Sequence, residues 1–266
     1  MRRTLSFLVL IALSVPPAAA VCQKTPARAK AAADKAPADQ GKPRKPVDAK
    51  SLQLNEQGVA AVKAKDFGKA EQLFRQALAV DAYNITAVFN LAGMYATNKK
   101  NDAARKLLED YVQRVPEDAG LAARLGDIYF ASQRPADAAR MYEQALRLDP
   151  AYPRVRLRLA TVYGLLNRLE DAESTLLAAV NEDPKDPQIY ANLSAVQLAN
   201  NKIQDAIGTA KKALQLRVSP DVYITLGTAY ELSGNPKNAL IAFERAADLG
   251  DQSAVLKAKI ESLKKN

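Results

Sequence analysis

Identical residues recur every 34 positions along most of this chain. Ala104, Ala138 and Ala172 share a register, as do Tyr95, Tyr129 and Tyr163, Leu91, Leu125 and Leu159, and Pro116, Pro150 and Pro184. The frame extends outward to Ala70 and Ala206 and, after a one-residue slip near Ser219, to Ala239. A fixed period in the range of about 20–50 residues marks a unit that cannot bury its apolar face alone and stacks on its neighbours. This period suits a helix–turn–helix pair, and stacked pairs hold other molecules more often than they transform them.

Counted from Ser51, the units begin at Ser51, Ile85, Ala119, Pro153, Pro187 and Pro220. Position 8 is small in every unit (Gly58, Ala92, Gly126, Ala160, Ser194, Gly227), and position 20 is always alanine. Small residues at both places let the two helices of a unit approach closely. Position 24 is mostly large (Phe74, Leu108, Tyr142, Leu176, Phe243, with Ala210 the exception), and position 11 is mostly tyrosine. These side chains fill the space the small ones leave and carry most of the burial energy. Prolines 116, 150, 184 and 220 fall between units, where a proline ends one helix or opens the next. Polar breaks such as Asn167-Arg168 and Asn200-Asn201 divide each unit in two. After Asp251 one more amphipathic stretch, 252–264, carries Val255, Leu256 and Ile260 on one side.

Leu125-Gly126, Tyr129, Ala138, Tyr142 and Pro150 together resemble the tetratricopeptide repeat (TPR). The likeness covers residues 51–264 and implies an all-α fold, a right-handed superhelical α-solenoid. It would hold six repeats (51–84, 85–118, 119–152, 153–186, 187–219, 220–251) and a C-terminal capping helix within 252–266. The first repeat departs from the pattern at Gln57 and Ala61, the fifth at Gln197 and Ala210. Stability in a repeat array is close to a sum of local terms. The fifth and sixth repeats, which include the slip near Ser219, should therefore open more easily than repeats two to four.

Composition removes several functions. The chain has no histidine, no tryptophan and a single cysteine, Cys22. That leaves no imidazole for a hydrolytic triad or a metal site, and no second thiol for a disulfide. A non-catalytic chain with no metal and no cofactor is expected. The net charge of +9 is unevenly placed: Arg2 and Arg3 supply two charges and residues 21–50 supply five, so residues 51–266 carry only +2. A nucleic-acid binder would show its cations clustered on the folded surface, so no nucleic acid is expected as a partner.

Residues 1–20 read as an export signal, with basic Arg2-Arg3, an apolar run from Leu5 to Val15, and Ala18-Ala19-Ala20 for cleavage. The run is too short to span a bilayer as a helix, which takes roughly 20 residues. An exported protein follows, in the periplasm first and at the outer membrane or outside the cell as alternatives. Cys22 stands where bacterial lipoproteins carry their lipid, but it follows the β-branched Val21 where that signal uses a small residue. A lipid on Cys22, or an uncleaved signal, would tether the chain to a membrane. Residues 21–50 form a basic Ala/Lys/Pro linker in which Val47 is the only large aliphatic residue after Val21, too little apolar surface to offset chain entropy.

The family resemblance also implies a concave groove lined by the first helix of each repeat, chiefly at positions 2, 5, 6, 9, 12 and 13. Position 6 reads Glu56, Asn90, Arg124, Arg158, Asn192, Thr225. With Arg154 at position 2 of the fourth repeat and Asp127 as a counter-charge, this is a polar stripe suited to peptide capture. Asn bonds both the N–H and the C=O of an extended backbone, and Arg presents a planar fork to carboxylates. Family members that clamp a partner's C-terminal carboxylate place Lys and Asn where this chain has Asn55 and Val59, and a further Lys where it has Gly120. Only Asn90 and Arg124 match that clamp, so a chaperone-tail ligand is not implied. The expected function is a scaffold of the bacterial cell envelope that binds a protein or peptide in its groove. The alternatives are an assembly factor for a pilus or secretion apparatus, similar to pilotin-like TPR lipoproteins, and a self-assembling structural protein.

Overall fold

The computed structural model describes residues 46–152 and 154–265. The signal sequence, most of the basic linker and Cys22 lie outside the described residues. Among those described, thirteen helices follow one another and no strand occurs. The first six are α1 (Ala49–Lys63), α2 (Phe67–Val80), α3 (Ile85–Thr97), α4 (Asn101–Arg114), α5 (Ala119–Ala131) and α6 (Pro135–Leu148). The rest are α7 (Val155–Leu165), α8 (Leu169–Glu182), α9 (Pro187–Ala199), α10 (Ile203–Leu216), α11 (Pro220–Leu232), α12 (Pro236–Asp248) and α13 (Ala254–Lys264). They divide into two compact units, one ending at Arg134 and one beginning at Pro135. Within the units consecutive helices pack in pairs (α1 with α2, α3 with α4, α7 with α8, α9 with α10, α11 with α12), and α13 packs on α12.

The close approach inside a pair is governed by matched sizes at positions 8 and 24. A Cβ placed on Gly58 would lie 2.6 Å from Cε1 of Phe74, and one placed on Gly227 would lie 2.6 Å from Cε1 of Phe243. Glycine thus stands opposite phenylalanine in the first and sixth repeats. Alanine pairs with leucine in the second and fourth (Ala92 with Leu108, Ala160 with Leu176), and all four of these side chains are fully buried. The alanines at position 20 are all 0% exposed, so helix contact there is set by a methyl group.

Each first helix ends in the same way. The residue at position 15 (Lys65, Lys99, Gln133, Asn167, Asn201, Gly234) has φ between 56° and 76°. Its N–H bonds the carbonyl at position 12, and the N–H of position 16 bonds the carbonyl at position 11, at 2.8–3.1 Å throughout. This paired closure satisfies carbonyls that a helix end leaves orphaned. Only the sixth repeat uses glycine, for which the left-handed region carries no steric cost. Arg154 is left-handed at a different place, φ 62°, ahead of α7, which starts two residues later in its repeat than α3, α5, α9 and α11 do in theirs.

In the N-terminal unit, the Ser51 hydroxyl donates to the Ala77 carbonyl and accepts from Asn84 Nδ2, both at 2.8 Å. All three groups are buried, and the Asn84 carbonyl oxygen also caps α3. In the C-terminal unit, α13 lays Leu256, Ile260 and Leu263 against Phe243, Ala246 and Tyr223. Val255, read from the sequence as part of that apolar side, is 79% exposed.

Candidate functional site

The six residues singled out along the first helices fall three in each compact unit. In the N-terminal unit, Asn90 on α3 donates to Oδ1 of Asn55 on α1 at 2.9 Å. Among the described residues Asn90 Oδ1 and Asn55 Nδ2 have no partner, so the pair keeps one acceptor and one donor for another molecule. Arg124 on α5 is not a solvated side chain: it is only 15% exposed, with its guanidinium 5.9 Å from the centre of the Phe89 ring and 3.9 Å from Asp127. Position 6 thus meets the preceding repeat here, where residue 5 is an aromatic whose ring faces the guanidinium.

In the C-terminal unit, a chain of polar contacts connects two repeats. Arg217 donates to Oε1 of Gln188 at 3.3 Å, Gln188 Nε2 donates to Oδ1 of Asn192 at 2.8 Å, and Asn192 Nδ2 reaches the Thr161 hydroxyl at 3.4 Å. Asn192 is therefore held from both ends, unlike Asn90. Arg154 approaches Asp186 at 3.9 Å, and Asp186 caps the start of α9. Arg158, on α7, is half-buried and has a partner of its own. Asn55, Phe89, Thr161 and Gln188 were not singled out from the sequence, although each occupies a groove position of the repeat frame. The missing signal was which neighbour each one meets.

A second pattern is absent from the sequence reading altogether. Three of the four tyrosines at position 11 do more than fill space, for Tyr95, Tyr129 and Tyr163 each donate the hydroxyl to a glutamate on the second helix of the preceding repeat. Tyr95 bonds Glu71 at 2.7 Å, Tyr129 bonds Glu109 at 2.7 Å and Tyr163 bonds Glu143 at 2.8 Å. A cation at position 16 completes the unit. Arg134 stacks 4.7 Å from the Tyr129 ring centre, Arg168 stacks 4.2 Å from that of Tyr163, and Lys100 lies 3.9 Å from Glu71. The left-handed turn at position 15 folds position 16 back over position 11, so the stacking follows from the backbone closure. Asp66 and Asn235 occupy position 16 in the first and sixth repeats, where they instead cap the second helix through their side chains. In the fifth repeat Gln197 takes the tyrosine's place and bonds Glu173, which also accepts from Asn200 and Lys202 at 2.9 Å each.

Electrostatics follow this geometry. Burial, reinforced by the neighbouring glutamate, pushes the Tyr95 and Tyr163 hydroxyls up to about 12. The Tyr95 hydroxyl, with Arg75 and Lys100, holds Glu71 below the usual carboxylate value. Burial works the other way on Glu173, but Lys202, Asn200 and Gln197 outweigh it and the group is lowered. Where Ala61 replaces the tyrosine, a hollow of about 370 Å³ opens, lined by Gln57, Ala60, Ala64, Asp66, Lys69 and Leu73.

This arrangement of paired helices has clear counterparts. The family model for the cilia and flagella-associated protein 70 C-terminal domain, a TPR domain, matches residues 24–263. PilW, described as a widely conserved type IV pilus biogenesis factor, is 19% identical, with 81% of this chain and 99% of that one aligned at a TM-score of 0.64. A tetratricopeptide repeat protein from Parabacteroides merdae is 20% identical over 89% of this chain and 90% of that one, TM-score 0.53. YrrB, described as a TPR protein with an unusual peptide-binding site, is 17% identical over 69% and 92%, TM-score 0.56. No curated protein matches the sequence. The match across most of the chain, the run of consecutive helices and the shared register of small and large residues make this chain a tetratricopeptide repeat protein, within the family of the cilia and flagella-associated protein 70 C-terminal domain.

Proposed function

We infer that this chain is a non-catalytic interaction scaffold that holds an extended, acidic or carboxylate-bearing segment of a protein partner in the bacterial cell envelope. The observation that carries this is the Asn55–Asn90 pair, whose half-buried Asn90 keeps an acceptor unengaged, with Arg124 at the same position of the next repeat held against Phe89 and Asp127. A prepared guanidinium loses less freedom on binding than a solvated one. Arg154, Arg158 and Asn192 offer the same chemistry on the C-terminal unit. The fold relatives support the reading, since YrrB is named for a peptide-binding site and PilW for pilus biogenesis. The PilW likeness also favours, as a second reading, an assembly factor for a pilus or secretion apparatus.

The test is binding of immobilised acidic peptides and their amidated, uncharged counterparts to the mature chain. Arg158→Glu combined with Arg124→Glu should cut acidic-peptide binding by more than about tenfold, because it removes ion pairs and adds repulsion. Asn90→Ala should weaken all extended peptides by about 1 kcal/mol per lost bond. Unchanged binding in a double variant of native helicity would exclude these side chains as the recognition surface. Envelope crosslinking with the parent chain would then identify which face is occupied.

A further inference from the structure

The joints between repeats are not equivalent, and one is closed by a cluster of polar side chains in place of a tyrosine. At the joint between the fourth and fifth repeats, Gln197 is 6% exposed and its Oε1 is buried with no hydrogen-bond partner among the described residues. A buried carbonyl without a donor destabilises the closed arrangement relative to one in which water reaches it. A gap of about 10 Å³ lies in the same joint, bordered by Ala160, Thr161 and Leu176 on one side and Asn192 and Val196 on the other. The polar link across it, Asn192 to Thr161, is long at 3.4 Å. Within the fifth repeat itself the facing residues are Ser194 and Ala210, the smallest such combination in the array, and the Ser194 hydroxyl is turned back to its own helix at Ala191.

The next joint is different. Leu198, Ala206, Ile207, Ala210 and Ala213 of the fifth repeat share one continuous apolar core with Val222, Leu226, Ala229 and Ala242 of the sixth. Lys211 lies 5.6 Å over the Tyr230 ring, a contact between those two repeats. Packing therefore bridges the slip near Ser219.

We propose that the joint between the fourth and fifth repeats is a built-in hinge, about which α9 to α13 move as one body relative to α7 and α8. The pivot is the polar cluster of Glu173, Gln197, Asn200 and Lys202. Its hydrogen bonds run between side chains and can exchange for water, whereas a tyrosine ring at position 11 would have to leave an apolar seat. Because Asn192 borders the same gap, opening would change the spacing between it and Arg158.

Two measurements on the full chain decide this. Spin labels at Leu177→Cys and Ile241→Cys, both exposed, span the proposed hinge, and labels at Lys212→Cys and Ile241→Cys do not; the single native Cys22 is replaced by Ser in both. The first pair should give a broad or two-peaked distance distribution and the second a narrow one. Equal widths would overturn the hinge. Hydrogen exchange in the parent should be about tenfold faster in α9 than in α7. Gln197→Tyr, which restores the hydroxyl donor to Glu173, should narrow the first distribution and slow α9 toward α7. An unchanged distribution in that variant would also overturn it, and if the variant fails to fold, the label widths in the parent chain decide.

Discussion

The hydroxyl of Tyr163 donates to Oε1 of Glu143 at 2.8 Å, fastening the first helix of one repeat to the second helix of the repeat before it. Arg168 completes the contact, stacked on the ring and 3.6 Å from the same carboxylate. Tyr95 with Glu71 and Tyr129 with Glu109 repeat the arrangement, so the array is held by a polar clip at each such joint as well as by apolar burial. Tyr163→Phe should cost about 1 kcal/mol, the net worth of one hydrogen bond plus part of the penalty on the carboxylate left behind. Denaturant unfolding of Tyr163→Phe, Glu143→Gln and the double variant should show a clear coupling energy. Strict additivity would mean that the hydroxyl bond contributes nothing of its own.

The clips also set a pH limit. Tyr95 and Tyr163 titrate at about 12 in the folded chain, against an ordinary value near 10. A pKa raised by folding means stability that is complete below about pH 10 and lost as pH rises from 10 to 12. Glu71 and Glu173 are lowered, so their contribution is complete above the ordinary carboxylate range and is lost as pH falls below about 4. The unfolding midpoint measured against pH should therefore fall at both ends. In Tyr95→Phe/Tyr163→Phe the alkaline fall should be shallower, and the acid fall should shrink toward the part that Glu173 supplies, because Glu71 loses the Tyr95 hydroxyl.

Five of the six left-handed turns at position 15 carry a side chain. Lys99→Gly and Gln133→Gly should each raise stability by about 0.5–1 kcal/mol, because glycine occupies that region without Cβ strain. Gly234→Ala should lower it by a similar amount. The Asn167 and Asn201 positions should gain least, since asparagine tolerates this conformation better than lysine or glutamine. Thermal unfolding of the single variants checks the order.

The size matching at positions 8 and 24 can be tested by exchange between repeats. Gly58→Ala drives a methyl group into the Phe74 ring, which stands only 2.6 Å from the Cβ site. Overpacking of this kind should cost about 1–3 kcal/mol. Adding Phe74→Leu recreates the alanine–leucine combination of Ala92 and Leu108 and should recover part of that loss. A double variant less stable than Gly58→Ala alone would show that the pairing is not transferable.

The repeat length, the pairing of helices, their turns and the small-against-large packing were all legible in the sequence. Each depends on which face of a single helix a residue occupies, and a period of 3.6 within a period of 34 encodes that directly. The joints were not legible in this way. The partner of a position-11 tyrosine lies at position 21 in one repeat and at position 25 in the next two, one helical turn apart. Only the rotation of stacked helices decides which carboxylate is reached. The same holds for the candidate site. The sequence placed Asn90, Arg124, Asp127, Arg154, Arg158 and Asn192 on first helices, but the partners that Asn90, Arg124, Arg154 and Asn192 meet in a neighbouring repeat lie 31 to 35 residues away. Arg124 is turned under Phe89, Asn90 is half-engaged by Asn55, and Asn192 is tied between Gln188 and Thr161. Periodicity determines the faces of helices; contacts across a joint depend on rotamers and on small rotations between repeats, which exist only in the stacked array.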